Sequence, residues 1–137
     1  MGSILQMRSD DLGKLLLRLA VGGLMLFHGW FKVVHGVGWI AGMLGSAGFL
    51  AAGVYIGEIV APLLIIAGVR TRLAALIVAF DMLVAFWLVL RPHIFAINEM
   101  GGGLRVELEV LFLFGSLALF FMGGGKYGLT RGKSNWD

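Results

Sequence analysis

The sequence contains no cysteine, so disulfides, thiol redox chemistry and cysteine-ligated metals are excluded together. It is also poor in charge. Asp, Glu, Lys and Arg make up 14% of its 137 residues, against roughly 25% in soluble domains, too little to cover a water-exposed surface. Only eight residues are acidic and two are proline, so the position of each one carries information. The net charge of +3 implies no nucleic-acid partner, because the basic residues gather at the ends of apolar runs. Apolar residues are what the chain has in abundance, 59% of the total, arranged in long blocks. They imply an integral membrane protein whose immediate partner is the lipid bilayer, and a chain of this length is expected to form one compact domain.

Residues 1–13 read as a polar leader, with Asp10 and Asp11 placed to start a helix by complementing its positive end. A transmembrane domain then fills residues 14–122. A span needs ~20 mostly apolar residues, which places spans at about 14–34, 51–69, 73–90 and 104–122. The first block is span-length and lacks a cleavage site, so it is expected to be a retained span. Arg18 within it is expected to snorkel towards the near interface. Residues 36–50 hold five glycines and no charge, and read as a short interfacial or re-entrant segment with Trp39 at headgroup depth. Spans two and three are joined by a very short turn and are therefore antiparallel neighbours. Residues 123–137 form a Gly-rich, basic tail. The expected fold class is all-α membrane, a four-transmembrane-helix bundle. Eight of the eleven Lys and Arg residues lie on the side of the termini and the 70–72 turn. The positive-inside rule then places both termini in the cytoplasm, N-in and C-in, and puts Trp30, Trp39 and Trp87 near the outer interface.

The stretch Gly53–Arg72 organises the rest. Its apolar run carries a carboxylate, Glu58, and four residues later a proline. Pro62 has no N–H and its ring collides with the carbonyl four positions back, which is that of Glu58. An acid and an unpaired backbone acceptor thus sit together, which a bilayer tolerates only where protein or water satisfies them. Gly53, Gly57, Ala61 and Gly68 follow helical spacing and are expected to form a close-packing face.

Ionisable residues recur on the other spans. His28 and Lys32 share one face of span one, with His35 at its end. Asp81 lies near the middle of span three, and Glu107 near the entry of span four. Exposing such a group to lipid at a helix centre costs ~2.5–3.5 kcal/mol, so Glu58, His28, Lys32, Asp81 and Glu107 are expected to converge inside the bundle. Glu109 points away from Glu107 and has Arg105 four residues before it, so it is expected to make a local ion pair instead. Three acids against Lys32 leave a surplus of negative charge that a low-dielectric interior does not hold, which suits groups that exchange protons. The bland alternative is a polar knot that only fixes helix register. No metal site is expected. The three histidines (His28, His35 and His93) do not form a bis-histidine pair across helices.

These residues carry a resemblance. Leu16-Leu17-Arg18-Leu19-Ala20-Val21-Gly22, Phe27-His28-Gly29-Trp30-Phe31-Lys32, Glu58 and Ala67-Gly68-Val69-Arg70-Thr71-Arg72-Leu73-Ala74-Ala75, with Glu107 and the ending from Gly123 to Leu129, resemble the DoxX family of small bacterial four-helix membrane proteins. In the usual family ending a Ser and an Asp stand where this chain has Gly128 and Thr130. The resemblance implies a bacterial inner-membrane location and quinone-linked electron transfer. The chain would then be a subunit of a quinone-linked oxidoreductase rather than a complete enzyme. It also implies no covalent cofactor, a quinone or lipid-like ligand, and a partner redox subunit or a homo-oligomer. A small proton- or cation-coupled transporter and a structural subunit without a site are the alternatives.

Overall fold

The computed structural model describes residues 2–137, with side chains from Arg8 onward. Among these residues there is no strand, only an isolated antiparallel bridge between Ile97 and Leu104 that pins the one long loop. The first helix, α1, runs Gly2–His35. The expected polar leader therefore belongs to its first turns, with no proline between Gly2 and the apolar block to break the helix. Asp10 and Asp11 do not start the helix, whose first turn has no acid. Asp11 instead accepts the backbone N–H of Lys126 at 3.2 Å and pairs with its ammonium at 3.8 Å.

The segment expected to be interfacial or re-entrant is helical but irregular. Helix α2, Gly38–Leu44, stops at Gly45, whose φ of 56° is left-handed, and a 3-10 stretch, Gly45–Gly53, kinks at Ala47. The chain then enters a π turn, Ile56–Val60, and α3, Ala61–Ala67. Gly68 closes α3 with a left-handed φ of 70°, and its N–H and that of Val69 both bond to Leu64 O, at 2.9 and 3.0 Å. Glycine suits this closure because it has no Cβ to strain. Helix α4, Thr71–Ala85, runs on through a π turn, Phe86–Leu90, and a 3-10 turn, Arg91–His93. Helix α5 is Glu107–Met122.

Three helical runs, residues 8–35, 38–67 and 71–93, are long and apolar enough to cross a bilayer, at 28, 30 and 23 residues. Helix α5 is apolar too, but its 16 residues reach only about 24 Å, short of a ~30 Å hydrocarbon core. Helix α1 packs on α3, α3 on α4, α4 on α5, and α5 back on α1, closing a ring. The core inside it is made of small and slender side chains, chiefly Val21, Met25, Ala61, Ile65, Ala74, Ala75, Val78 and Leu119. Bulky apolar residues point outwards: Phe27, Phe80 and Phe114 are 74%, 67% and 65% exposed. A water-soluble monomer rarely shows so continuous an apolar exterior, whereas lipid requires one.

The residues after α5 fold across one end of the ring. Leu129 N–H bonds to Ala67 O at 2.9 Å, and Thr130 Oγ1 donates to Gly68 O at 2.8 Å. Gly128 lies so close to Gly68 that a Cβ there would stand 2.7 Å from the Gly68 carbonyl oxygen, so the serine of the usual family ending would not fit this contact. Asp137 accepts the backbone N–H of Arg70 at 2.9 Å and that of Ser134 at 2.8 Å. The bond from Arg70 also holds that residue in a left-handed conformation, φ 46°, unusual outside glycine.

Arg18 completes this closed end, and here the expectation of snorkelling is corrected. Its side chain is 1% exposed. The guanidinium donates to Ile65 O at 2.8 Å, Ile66 O at 2.6 Å and Gly124 O at 3.1 Å. The last carbonyls of a helix lack intrahelical donors and carry the negative end of its dipole. Arg18 supplies both donors and charge to the end of α3, without a carboxylate partner.

Candidate functional site

At the opposite end the ring is looser and holds a cavity of about 140 Å³, walled by α1, the π turn, α4 and α5, with Trp39 of α2 at its edge. The π turn positions the central acid. Because Pro62 cannot donate, the regular ladder fails here, and Ala61 N–H bonds to Ile56 O, five residues back. Such single-turn widenings collect at functional sites. The expected break at Pro62 is therefore present in the form of a π turn.

The Glu58 carbonyl freed by Pro62 is covered by α1. A Cβ on Gly29 would collide with that oxygen, and a Cβ on Gly22, two turns earlier, would stand 2.9 Å from Pro62 O. The bare Cα atoms of Gly22 and Gly29 thus form a packing stripe on span one. On span two, Gly53 faces open space, which corrects its assignment to the packing face. Gly57 does allow a close approach, with Asp81 Cγ 2.7 Å from where its Cβ would stand, while Ala61 is fully buried and Gly68 lies against Gly128 and the Arg18 guanidinium.

Lys32 and Glu58 form an ion pair through Nζ and Oε1. Glu58 is 5% exposed, and its second oxygen, Oε2, is buried without a hydrogen-bond partner. Tyr55 donates its hydroxyl to Lys32 O at 3.1 Å, tying the last turns of α1 to span two. His28, one turn before Lys32, lines the cavity and stands edge-on to Phe112 of α5, ring centres 5.6 Å apart. His35 leaves the group, stacking on Phe31 at 4.0 Å. Asp81 lies over Gly57 within electrostatic reach of Glu58 and Lys32, but it does not line the cavity.

Helix α5 carries two further acids in its first turn. Glu107 is exposed and its carboxylate folds against Gly103, at the first residue of α5, where negative charge complements the helix end. Glu109 lines the cavity with Leu108 and Phe112, and its Oε2 is buried and unpartnered. No Arg105–Glu109 ion pair occurs among the described residues. The expectation assumed that both residues share a helix, but α5 begins only at Glu107. Arg105 belongs to the loop, where its N–H bonds to Ala96 O at 2.9 Å.

The cavity therefore combines an apolar wall, chiefly Met25, Met82, Leu90 and Phe112, with one ammonium, one imidazole and two carboxylates. Among the described residues no group of three or more His, Asp or Glu side chains is placed to hold a metal ion. The DoxX family model matches residues 13–91 of the 137. That range takes in Arg18, His28, Lys32, Glu58 and Asp81, and leaves out Glu109 and the closing tail. No curated protein and no solved structure matches the chain.

Proposed function

The chain belongs to the DoxX family, and from that premise we propose that it is a quinone-interacting subunit of a bacterial inner-membrane redox complex. In this reading four segments cross the bilayer with both termini in the cytoplasm, and α5 spans with help from its flanking loop. A single quinone-type ring occupies the cavity, and Glu58, held by Lys32, exchanges protons with its oxygens beside His28. One observation carries the reading: a buried carboxylate with a spare oxygen lies on the wall of an apolar cavity about 140 Å³ in volume. With no cysteine in the chain, electrons would pass to a partner subunit through the bound ring itself, since cofactors carry such chemistry and the protein supplies binding and orientation.

Mass spectrometry of lipids and quinones that copurify with the protein tests the ligand, and a quinone at near-stoichiometric amount is the expected result. Reporter fusions after Arg72 and Lys133 should read cytoplasmic, and one within residues 95–101 external. A second reading, passage of protons or a small cation, draws support from the excess of carboxylate over ammonium at the cavity. Flux into sealed proteoliposomes without any quinone would favour it.

A further inference from the structure

The closed end of the bundle holds a second cavity, about 550 Å³ in volume, between the first half of α1, the start of α4 and the residues after α5. That size falls within the ~300–1,000 Å³ usual for small-molecule sites, but its wall is mostly polar. Four cationic side chains line it, Lys14, Arg72, Lys126 and Arg131, against the carboxylates of Asp11 and Asp137. Both acids are already engaged. Asp11 accepts the Lys126 N–H and faces its ammonium, and Asp137 accepts the N–H groups of Arg70 and Ser134. Arg72 is engaged too, donating to the carbonyls of Asp137, Phe120 and Phe121. The side chains of Lys14 and Arg131 have no hydrogen-bond or ion-pair partner among the described residues.

Arg131 is unusual in its backbone as well. It adopts a left-handed φ of 54°, uncommon outside glycine. Arg70 shares this conformation but is held there by Asp137, whereas no side-chain contact offsets the strain at Arg131. Strained residues of this kind collect at ligand clamps and other functional sites. Lys14 is half-buried, its stem laid against Gly125, where a Cβ would stand 3.1 Å from Lys14 Cδ. Ser134, also in the lining, accepts the Trp136 N–H at Oγ, 3.3 Å away, which leaves its own proton to donate elsewhere.

We propose that this cavity is an anion site for a phosphate group of net negative charge, supplied by an anionic lipid headgroup or by free phosphate. Two unpaired cations and a spare hydroxyl donor in one polar hollow call for an anion with several acceptor oxygens. Arginine meets phosphate through its planar fork, and lysine as a point charge. The surroundings favour a headgroup. Tyr127, Leu129 and Trp136, on the same segment, are exposed, and amphipathic aromatic rings gather at headgroup depth, where basic pockets bind anionic lipids. The site stands at the other end of the bundle from Glu58, and its occupancy does not depend on what the cavity there binds.

The test equilibrates the delipidated full-length protein in detergent with phosphatidylglycerol, with zwitterionic phosphatidylcholine and with inorganic phosphate, and reads the bound molecules by native mass spectrometry. Phosphatidylglycerol is expected to bind about 25-fold more tightly than phosphatidylcholine, about fivefold for each unpaired cation. Lys14→Gln and Arg131→Gly should each lose about fivefold. Arg131→Gly should do so with a melting temperature no lower than that of the unaltered protein, since glycine takes a left-handed φ without strain. Lys133→Gln, which removes the same charge from the same segment outside this cavity, should leave binding unchanged. Inorganic phosphate that binds without any lipid preference, and is lost in Arg131→Gly, would identify free phosphate as the source and support the anion site. Equal binding of the two lipids with no binding of phosphate would overturn it. A loss in Lys133→Gln as large as in Arg131→Gly would also overturn it, because the attraction would then be diffuse. So would full binding in both Lys14→Gln and Arg131→Gly.

Discussion

Gly29 of α1 lies directly over the backbone carbonyl of Glu58, the acceptor that Pro62 leaves without its helical donor. The contact explains how a proline-interrupted helix is tolerated beside a site: a neighbouring helix with no side chain closes over the gap. It also fixes the distance between Lys32 and Glu58, which lie on the same two elements.

Gly29→Ala should therefore destabilise the protein by about 1–3 kcal/mol, the cost of forcing atoms into a filled contact. Gly23→Ala, where an added Cβ meets nothing within 4 Å, should be neutral or stabilising by roughly 0.5–1 kcal/mol through helix propensity. Thermal denaturation of both variants in one detergent separates the two effects. Equal melting temperatures would mean that the approach of α1 to the π turn is not tight.

At Glu58 itself, Gln and Leu should behave differently. The amide keeps size and hydrogen-bonding capacity but loses the titrating proton, so Glu58→Gln should fold normally and lose quinone-linked turnover. Glu58→Leu strands Lys32 without its partner, at a cost on the order of 3 kcal/mol. A silent Gln variant beside a merely unstable Leu variant would identify the ion pair as structural only. Melting curves paired with a complementation assay read both outcomes.

Arg18 should prove to be a stability residue. Arg18→Met takes the guanidinium donors from the carbonyls of Ile65, Ile66 and Gly124, of which Ile65 O keeps the Gly68 N–H at 3.2 Å; at about 1–3 kcal/mol for each group that finds no other donor, the loss should lower the melting temperature. Arg18→Lys should recover part of the loss, since one ammonium carries the charge but lacks the planar fork that reaches several acceptors at once. If both variants melt like the unaltered protein, Arg18 does not hold the end of α3.

The closed end should open in acid. Burial pushes the Asp137 carboxyl up, but the hydrogen bonds from the backbone N–H groups of Ser134 and Arg70, with the charge of Arg70, outweigh it and hold the group below the ordinary aspartate range. A carboxyl lowered in the folded state contributes stability that is full above its unfolded value, about 3.9, and is lost as pH falls through that value towards the folded one. Trp136 fluorescence should report release of the 123–137 segment below about pH 4, and Asp137→Asn should abolish that dependence. A transition centred near neutrality would contradict it.

Much of this was legible in the residues, and the exceptions share a cause. Glu58 and Pro62 announced each other through the four-residue spacing, and His28 and Lys32 shared a face as soon as a helix was assumed. Glu109 departs from its expected ion pair because its face depends on where α5 begins, and Arg105 falls just outside that start. The role of Arg18 leaves no mark in the sequence because its partners are backbone carbonyls, which any sequence has and no side-chain pattern marks. The closing tail escapes notice for the same reason: it is held through the main-chain carbonyls of Ala67 and Gly68, and Gly128 serves by lacking a side chain.

The carbonyls at the end of α3 are capped in part by Arg18, but Gly124 and Asp137, which complete that closed end, follow the last helix. In a chain made from its N-terminus onwards, α1 and α3 therefore meet before the residues that seal them exist. That end therefore stays unsealed until the residues after α5 have been made, and Ala67 O and Gly68 O wait until then for the donors of Leu129 and Thr130.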